Sequence, residues 1–127
     1  MSRATAPAPP SDVVIFKICP RADWVRAQSL GLLAPSADDA RDGYVHLSRR
    51  TQLAGTLERH FRGRDDLVLL AVRIDRLPEQ AVRWEPSRGG ELFPHLYDSL
   101  GVASVERVYD LPLDLAGVHA LPEGLGE

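Results

Sequence analysis

Runs of apolar residues, separated by short segments rich in polar residues, glycine and proline, divide the chain into strands and helices. Residues 13–18 are mostly β-branched or aromatic and predict a strand, and residues 67–74 form a nearly continuous apolar run. The second run is typical of a central strand that is covered on both faces. Shorter strands are predicted at 44–47, 82–85 and 103–111, and the last of these alternates as an edge or half-exposed strand does.

Two main helices are predicted between these strands. The first begins at Pro20, carries apolar residues at helical spacing, and ends at Gly31. The second follows Ser48, whose hydroxyl is expected to cap it by accepting a hydrogen bond from a backbone amide, and ends near Gly63. The polar segment 34–43 between them is predicted to be a turn-rich loop. Because strands and helices do not alternate strictly, the pattern predicts an α+β fold with a mixed or antiparallel sheet.

The length of the chain favours a single domain. Its 127 residues suffice for one hydrophobic core. Residues 1–12, rich in Ala, Pro and Ser, are expected to form a flexible N-terminal tail. We expect the domain itself to span residues 13–122, followed by a short C-terminal tail at 123–127.

Composition and charge exclude several classes of function. The formal net charge of -3 argues against general binding to nucleic acids or anionic membranes, which depends on clustered positive charge. The sequence contains no apolar run long enough to span a membrane and no signal-peptide pattern, so a cytoplasmic location is expected. Cys19 is the only cysteine, which excludes an intrachain disulfide, and its apolar neighbours indicate a buried structural thiol.

The segment from Trp84 to Tyr97 concentrates the polar chemistry of the chain. It contains two carboxylates, an arginine, a histidine and three aromatic residues around two prolines and a Gly-Gly pair. The prolines and glycines predict an ordered loop between strands, held to the body of the protein by its aromatic side chains. Glu85, Arg88 and His95 then remain as candidate ligand-binding groups, since function is often carried by loops on a rigid scaffold.

Each candidate residue also has a structural interpretation. Glu85 can act as a general acid or base with a raised pKa beside the indole of Trp84, or it can form an ion pair with Arg88. Arg88 has small neighbours that would let it approach a phosphate or carboxylate. His46 lies at a predicted strand end before a helix, where it either faces a polar or anionic ligand or binds a backbone carbonyl in the core. His95 is either a second ligand-binding group or a packed loop residue.

Metal and serine chemistry are not expected. His46, Glu85 and His95 are metal-ligating residue types, but they are far apart in the sequence and no short-spaced ligand pair is present. Ser48 and Ser87 lack the Gly-x-Ser-x-Gly setting that exposes a nucleophilic serine.

Four segments, in the same order, resemble a small bacterial family of unknown function, DUF952. They are Lys17-Ile18 with Trp24, Asp42-Gly-Tyr-Val-His-Leu-Ser48, Leu67 to Val72, and Trp84-Glu-Pro-Ser-Arg-Gly-Gly-Glu-Leu-Phe-Pro-His-Leu-Tyr97. The resemblance runs from about Val13 to Pro122. It extends to the ADP-ribosyltransferase-like superfamily, whose members bind NAD in a cleft between two small sheets, and it therefore implies a split-sheet fold with NAD as the substrate.

The resemblance also implies roles for individual residues. His46 would contact the ribose on the nicotinamide side, and Glu85 would stabilise the charge that develops when the nicotinamide bond breaks. The other residues expected to bind the ligand are Tyr44, Trp84 and Tyr97 by stacking, Arg88 at the pyrophosphate, and Ser48 and His95 beside them.

The expected function is an NAD-dependent ADP-ribosyl or related group transferase. One alternative is a non-catalytic module that binds a nucleotide or another small anion, and a second is a purely structural loop beside a surface for a protein partner. Neither the acceptor nor the oligomeric state follows from the sequence.

Overall fold

A computed structural model describes residues 10–125, which form eight strands and three α-helices. The strands are β1 (Val14–Pro20), β2 (Leu32–Leu33), β3 (Val45–His46), β4 (Leu67–Arg73), β5 (Val82–Pro86), β6 (Leu92–Leu96), β7 (Leu100–Gly101) and β8 (Val105–Asp110). The helices are α1 (Arg21–Leu30), α2 (Ala37–Asp42) and α3 (Leu53–His60). None of these helices is long and apolar enough to cross a membrane.

The strands pair into separate antiparallel sheets. One three-stranded sheet has the order β1-β4-β8, a second has the order β3-β6-β5, and β2 pairs with β7. Every pairing is antiparallel, so the α+β prediction is confirmed in its antiparallel form. The prediction of β8 as an edge strand is also confirmed.

The predicted central strand is β4, which lies between β1 and β8 and is buried on both faces. One face of the β1-β4 pair packs against α1 and strands of the other sheets, and the opposite face packs against α3. Successive side chains point to opposite faces of a strand, so burial on both faces requires the continuous apolar run seen in the sequence.

The segment 34–43, predicted to be a loop, contains α2, so that prediction is wrong. Ser36 and Asp39 form a reciprocal capping box, in which the Ser36 hydroxyl accepts from the Asp39 amide and the Asp39 carboxylate accepts from the Ser36 amide. Gly43 ends the helix with a φ of 84°, a conformation that favours glycine. Terminal hydrogen bonds therefore stabilise a short helix whose polar composition gave no periodic signal.

Ser48 does not cap a helix, which corrects a second prediction. Its backbone pairs with Phe16 of β1, and its hydroxyl lies 3.1 Å from the hydroxyl of Thr56. The α-helix begins only at Leu53, after a 3-10 turn at Arg50–Gln52. Pairing with β1 holds Ser48 in extended structure, so the helix starts one turn later than its sequence suggested.

The segment from Trp84 to Tyr97 is a β-hairpin rather than a loop. β5 and β6 pair in register, with Trp84 opposite Pro94, and only the tip between them is a turn. Pro94 lacks an amide hydrogen, but its carbonyl accepts from the amide of Leu47 at 3.2 Å. The prolines therefore lie within strands, and Gly89, with a φ of 66°, lies in the turn.

The ends of the domain remain predictions. Most of the predicted N-terminal tail, residues 1–9, lies outside the described residues, as do residues 126–127. Asp12 forms an ion pair with Arg49 at 3.1 Å, and Leu125 is buried in the core cluster on the α3 side of the first sheet.

Candidate functional site

A cavity of about 280 Å³ is lined by residues of both three-stranded sheets. Strand β1 and the strands β3 and β6 contribute to its walls, together with α2 and α3. The turn of the β5-β6 hairpin contributes Ser87 and Arg88. One part of the wall thus carries acidic and histidine side chains together with Arg41, and another part carries Arg88.

His46 is held between two carboxylates. Its Nδ1 lies 2.7 Å from Asp39 Oδ1, and its Nε2 lies 2.9 Å from Asp42 Oδ2. Both contacts are hydrogen bonds at the same time only when both ring nitrogens carry hydrogen. A hydrogen bond from Arg41, followed by contacts with His46, lowers the pKa of Asp42 to about 2. Both ring nitrogens of His46 are therefore engaged within the protein.

A buried ion pair lies beneath this histidine. Lys17 Nζ is 3.0 Å from Asp39 Oδ2, with side-chain exposures of only 6% and 2%, and it also donates to the carbonyl of His46 at 3.1 Å. Burial raises the pKa of Asp39, but hydrogen bonds from His46 and the charge of Lys17 outweigh burial, so the pKa lies well below its ordinary value. Asp39 is therefore ionised at neutral pH and connects α2, β1 and β3.

His95 is paired with His46 across β3 and β6, and its ring is buried. Its Nδ1 lies 2.8 Å from Glu85 Oε1, and the Tyr97 hydroxyl donates to the same oxygen at 2.7 Å. The hydrogen bonds from Tyr97 and then His95 lower the pKa of Glu85. The pKa of Glu85 is thus not raised by the indole, and no salt bridge joins Glu85 to Arg88 within residues 10–125.

The second ring nitrogen of His95 is free. Within residues 10–125 no hydrogen bond engages His95 Nε2, and in this part of the chain no fully buried side-chain nitrogen lacks a partner. Nε2 therefore contacts solvent, and His95 is a residue of the cavity wall. This histidine has one nitrogen fixed by a carboxylate and the other available to a ligand.

Tyr44 covers both histidines. Its ring stacks on His95 with a centroid separation of 4.0 Å and lies 4.6 Å from the ring of His46. Burial, followed by the charges of Asp42 and Glu85, raises the pKa of Tyr44. The phenol therefore stays protonated and forms an aromatic wall of the cavity.

Arg88 lies at the other side of the cavity. Its guanidinium stands 5.0 Å over the ring of Phe93, and its Nη2 is 3.5 Å from the carbonyl of Gln52. It has no carboxylate partner among the described residues. A Cβ atom at Gly55 would lie only 2.8 Å from Arg88 Nη2, so the glycine in α3 makes room for the guanidinium.

The structure gathers most of the predicted site residues. Those that line the cavity are Tyr44, His46, Ser48, Arg88 and His95. Glu85 and Tyr97 do not line this cavity: Glu85 contacts His95, and Tyr97 contacts Glu85. Trp84 lies apart from them, packed against the core under the guanidinium of Arg49.

Sequence reasoning missed Lys17, Asp39, Asp42 and Gly55. The signals were a lone lysine within an apolar strand, a Ser-x-x-Asp capping pattern, and a glycine inside a helix. Within the described residues, no group of three or more His, Cys, Asp and Glu side chains is arranged to hold a metal ion.

Solved structures of one protein are similar to this chain, whereas none of the curated proteins matches it. The crystal structure of protein CC0527 from Caulobacter crescentus is 46% identical, with a TM-score of 0.80, and the match covers 85% of this chain and 94% of that chain. The solution NMR structure of CC0527 gives 46% identity and a TM-score of 0.74, over 84% of this chain and 90% of that chain. The sequence profile of DUF952, described as a protein of unknown function, matches residues 18–108, and the chain therefore belongs to the DUF952 family.

Proposed function

We propose that the cavity binds a small phosphate-bearing ligand of the nucleotide class. The observation that carries the proposal is Arg88, which lines the cavity without a carboxylate partner among residues 10–125. A guanidinium binds phosphate oxygens through charge-assisted hydrogen bonds. The carboxylate of Asp42, elsewhere on the wall, is an acceptor for the hydroxyl groups of a ribose.

We further propose NAD as the ligand and the transfer of its ADP-ribosyl group as the reaction. Support comes from the cavity's position between the two three-stranded sheets, as in the superfamily that the sequence resembles, and from Tyr44 as a surface for the nicotinamide ring. A volume of about 280 Å³ is at the lower end for small-molecule sites and suits one nucleoside half of NAD. The remainder of the dinucleotide would extend from Arg88 towards solvent.

In this proposal Glu85 does not contact the substrate and acts through His95. It does not line the cavity, and its Oε1 accepts hydrogen bonds from Tyr97 and pairs with His95. Its negative charge would still favour a positively charged ribose, but its direct effect falls on His95. His46 likewise would act through Asp42, because both of its ring nitrogens are engaged.

A non-catalytic module that binds a nucleotide or small anion is the second candidate. The engagement of both His46 nitrogens favours it, because a histidine tied to two carboxylates has no free nitrogen for chemistry. This candidate predicts saturable binding without any product.

Amide NMR spectra during titration with NAD, ADP-ribose and nicotinamide test the proposal. We expect saturable shifts at residues 44–48 and 85–97. Arg88→Ala should weaken binding of ADP-ribose about 10-fold or more, since a hydrogen bond to a charged group contributes about 1.5–3 kcal/mol. Arg59→Ala is the control, because Arg59 is an exposed residue of α3 that does not line the cavity.

The outcomes separate the candidates. Release of free nicotinamide from NAD supports the transferase, and saturable binding without release supports the binding module. Absence of shifts at millimolar NAD and ADP-ribose, or equal affinities for the Arg88→Ala and Arg59→Ala variants, would refute the nucleotide site.

A further inference from the structure

We infer that His95 is the proton-transfer residue of the cavity, with Nε2 as its reactive atom. Glu85 is its positioning residue. The acceptor of the transferred group is a hydroxyl group or water. The identity of the donor substrate rests on the proposed function. The state of the His95 ring does not, and it can be measured without any ligand.

The ring of His95 is held from several sides. Glu85 Oε1 lies 2.8 Å from Nδ1, Tyr97 donates to that same oxygen, and Tyr44 stacks on the ring face at 4.0 Å. The guanidinium of Arg83 stands 4.3 Å over the ring of Tyr97 and packs on its face. A lowered pKa keeps Glu85 ionised, so it only accepts hydrogen bonds. Nδ1 must then carry the hydrogen, which leaves the lone pair of the neutral ring on Nε2.

No other histidine of the cavity offers this arrangement. Both nitrogens of His46 are bound by carboxylates. His60, at the end of α3, is exposed, and no hydrogen bond to another residue of the range 10–125 orients it. His95 alone, among the histidines lining the cavity, combines burial, a fixed Nδ1 and a free Nε2.

The chemistry of a neutral imidazole selects the acceptor. A carboxylate acceptor has no proton to lose at neutral pH, and a guanidinium has no free lone pair with which to attack, whereas a hydroxyl group or water keeps lone pairs on oxygen while it still carries its proton. A hydroxyl group or water becomes a better nucleophile when its proton moves to Nε2 as it attacks.

The proposed step balances as follows. The acceptor oxygen forms a bond to the ribose C1′ of NAD while the bond from C1′ to the nicotinamide nitrogen breaks, and the electron pair of that bond leaves with neutral nicotinamide. The acceptor proton moves to His95 Nε2. The imidazolium then releases it to solvent, so the products are an O-linked ADP-ribose, or ADP-ribose itself when water attacks, with nicotinamide and one proton.

The first experiment measures the ring state by long-range nitrogen-proton correlation spectra of labelled protein at pH 8 without ligand. We expect His95 in the neutral form with hydrogen on Nδ1. Tyr97→Phe, which keeps the Glu85 charge, should preserve this form, and Glu85→Ala should abolish the preference. Hydrogen on Nε2 in the unaltered protein would overturn the inference, whatever is found for NAD.

The second experiment compares His95→Asn with the unaltered protein. The asparagine amide can keep the bond to Glu85 in place of Nδ1, but it removes Nε2. We expect nicotinamide release to fall by about 100-fold or more, as is typical for loss of a general base, while NAD affinity stays nearly constant and circular dichroism shows that the variant is folded. Glu85→Gln should lower kcat by about 100-fold or more with KM within threefold, because a wrongly held tautomer disables the base.

The results distinguish this inference from the proposed function. Failure of the unaltered protein to bind NAD, together with the expected Nδ1-hydrogen form, refutes the donor substrate and supports the assignment of His95. Binding of NAD without nicotinamide release, or turnover by His95→Asn within threefold of the unaltered protein, overturns the catalytic assignment.

Discussion

Lys17→Met tests the buried ion pair on which the site is built. The ammonium of Lys17 lies 3.0 and 3.3 Å from the two oxygens of Asp39 and 3.1 Å from the carbonyl of His46. Methionine has a similar length but no charge, so the packing of β1 is largely kept while all three contacts are lost. In the variant, the buried carboxylate of Asp39 has lost its lysine partner.

The expected cost follows from the burial of both partners. Removal of one member of a buried ion pair typically lowers the free energy of unfolding by about 3–5 kcal/mol. Asp39 retains the hydrogen bonds from His46 at 2.7 and 3.0 Å, so we expect the lower end, about 3 kcal/mol. For a chain of 127 residues this corresponds to a fall in melting temperature of roughly 10 °C.

Urea unfolding at pH 7, followed by circular dichroism, measures the loss. Arg26→Met is the matched control, because Arg26 forms an exposed pair with Asp23 on α1, and it should cost no more than about 0.5 kcal/mol. The loss for Lys17→Met should also change little between low and high salt, since buried pairs are poorly screened. A loss below about 1 kcal/mol would refute the reasoning.

Three further predictions concern other parts of the molecule. Gly55→Ala should raise the free energy of unfolding by up to about 1 kcal/mol, because alanine favours helix more than glycine does. It should weaken ADP-ribose binding, because the added Cβ displaces Arg88. Urea unfolding and calorimetric titration check this, and Ala54→Gly is the control that should lose stability and keep its affinity. The folded-state pKa of Asp39 is depressed, so its contribution to stability is complete above about pH 4 and is lost as the pH falls further. Asp39→Asn should therefore flatten the acid end of the profile of unfolding free energy against pH. Parallel profiles for the variant and the unaltered protein would contradict this. Burial raises the pKa of Cys19 to about 12. At pH 8 the native protein should therefore be alkylated at least about 100-fold more slowly than the protein in urea, as followed by mass spectrometry. Equal rates would contradict the burial of Cys19.

The strands were predictable because burial leaves a local pattern. The run from Leu67 to Arg73 is apolar at nearly every position, and only a strand covered on both faces needs that. Gly31 similarly marked the end of α1, where a left-handed conformation with a φ of 86° is required. The short helix α2 and the hairpin were not predicted, because capping bonds and strand pairing override weak or unfavourable local preferences.

The candidate site was only partly predictable from the sequence. His46, Arg88 and His95 stood out by residue type and setting, and they line one cavity. Glu85 seemed placed for Arg88 three residues later, but the hairpin pairs Arg83 with His95 and so brings Glu85 diagonally next to that ring. Sequence distance therefore suggested the wrong partner, because strand register determines which side chains are neighbours.

By itself, the sequence determined the apolar strands, the first helix, the α+β class and the segments that identify the family. Only the tertiary structure decided the partners of Lys17, which lie 22 and 29 residues away at Asp39 and His46. Local patterns indicate which face of an element is buried, because side chains on one face recur with the period of the helix or strand. A site made of paired charges depends instead on which distant elements meet, and antiparallel pairing and helix packing settle that only in the folded chain.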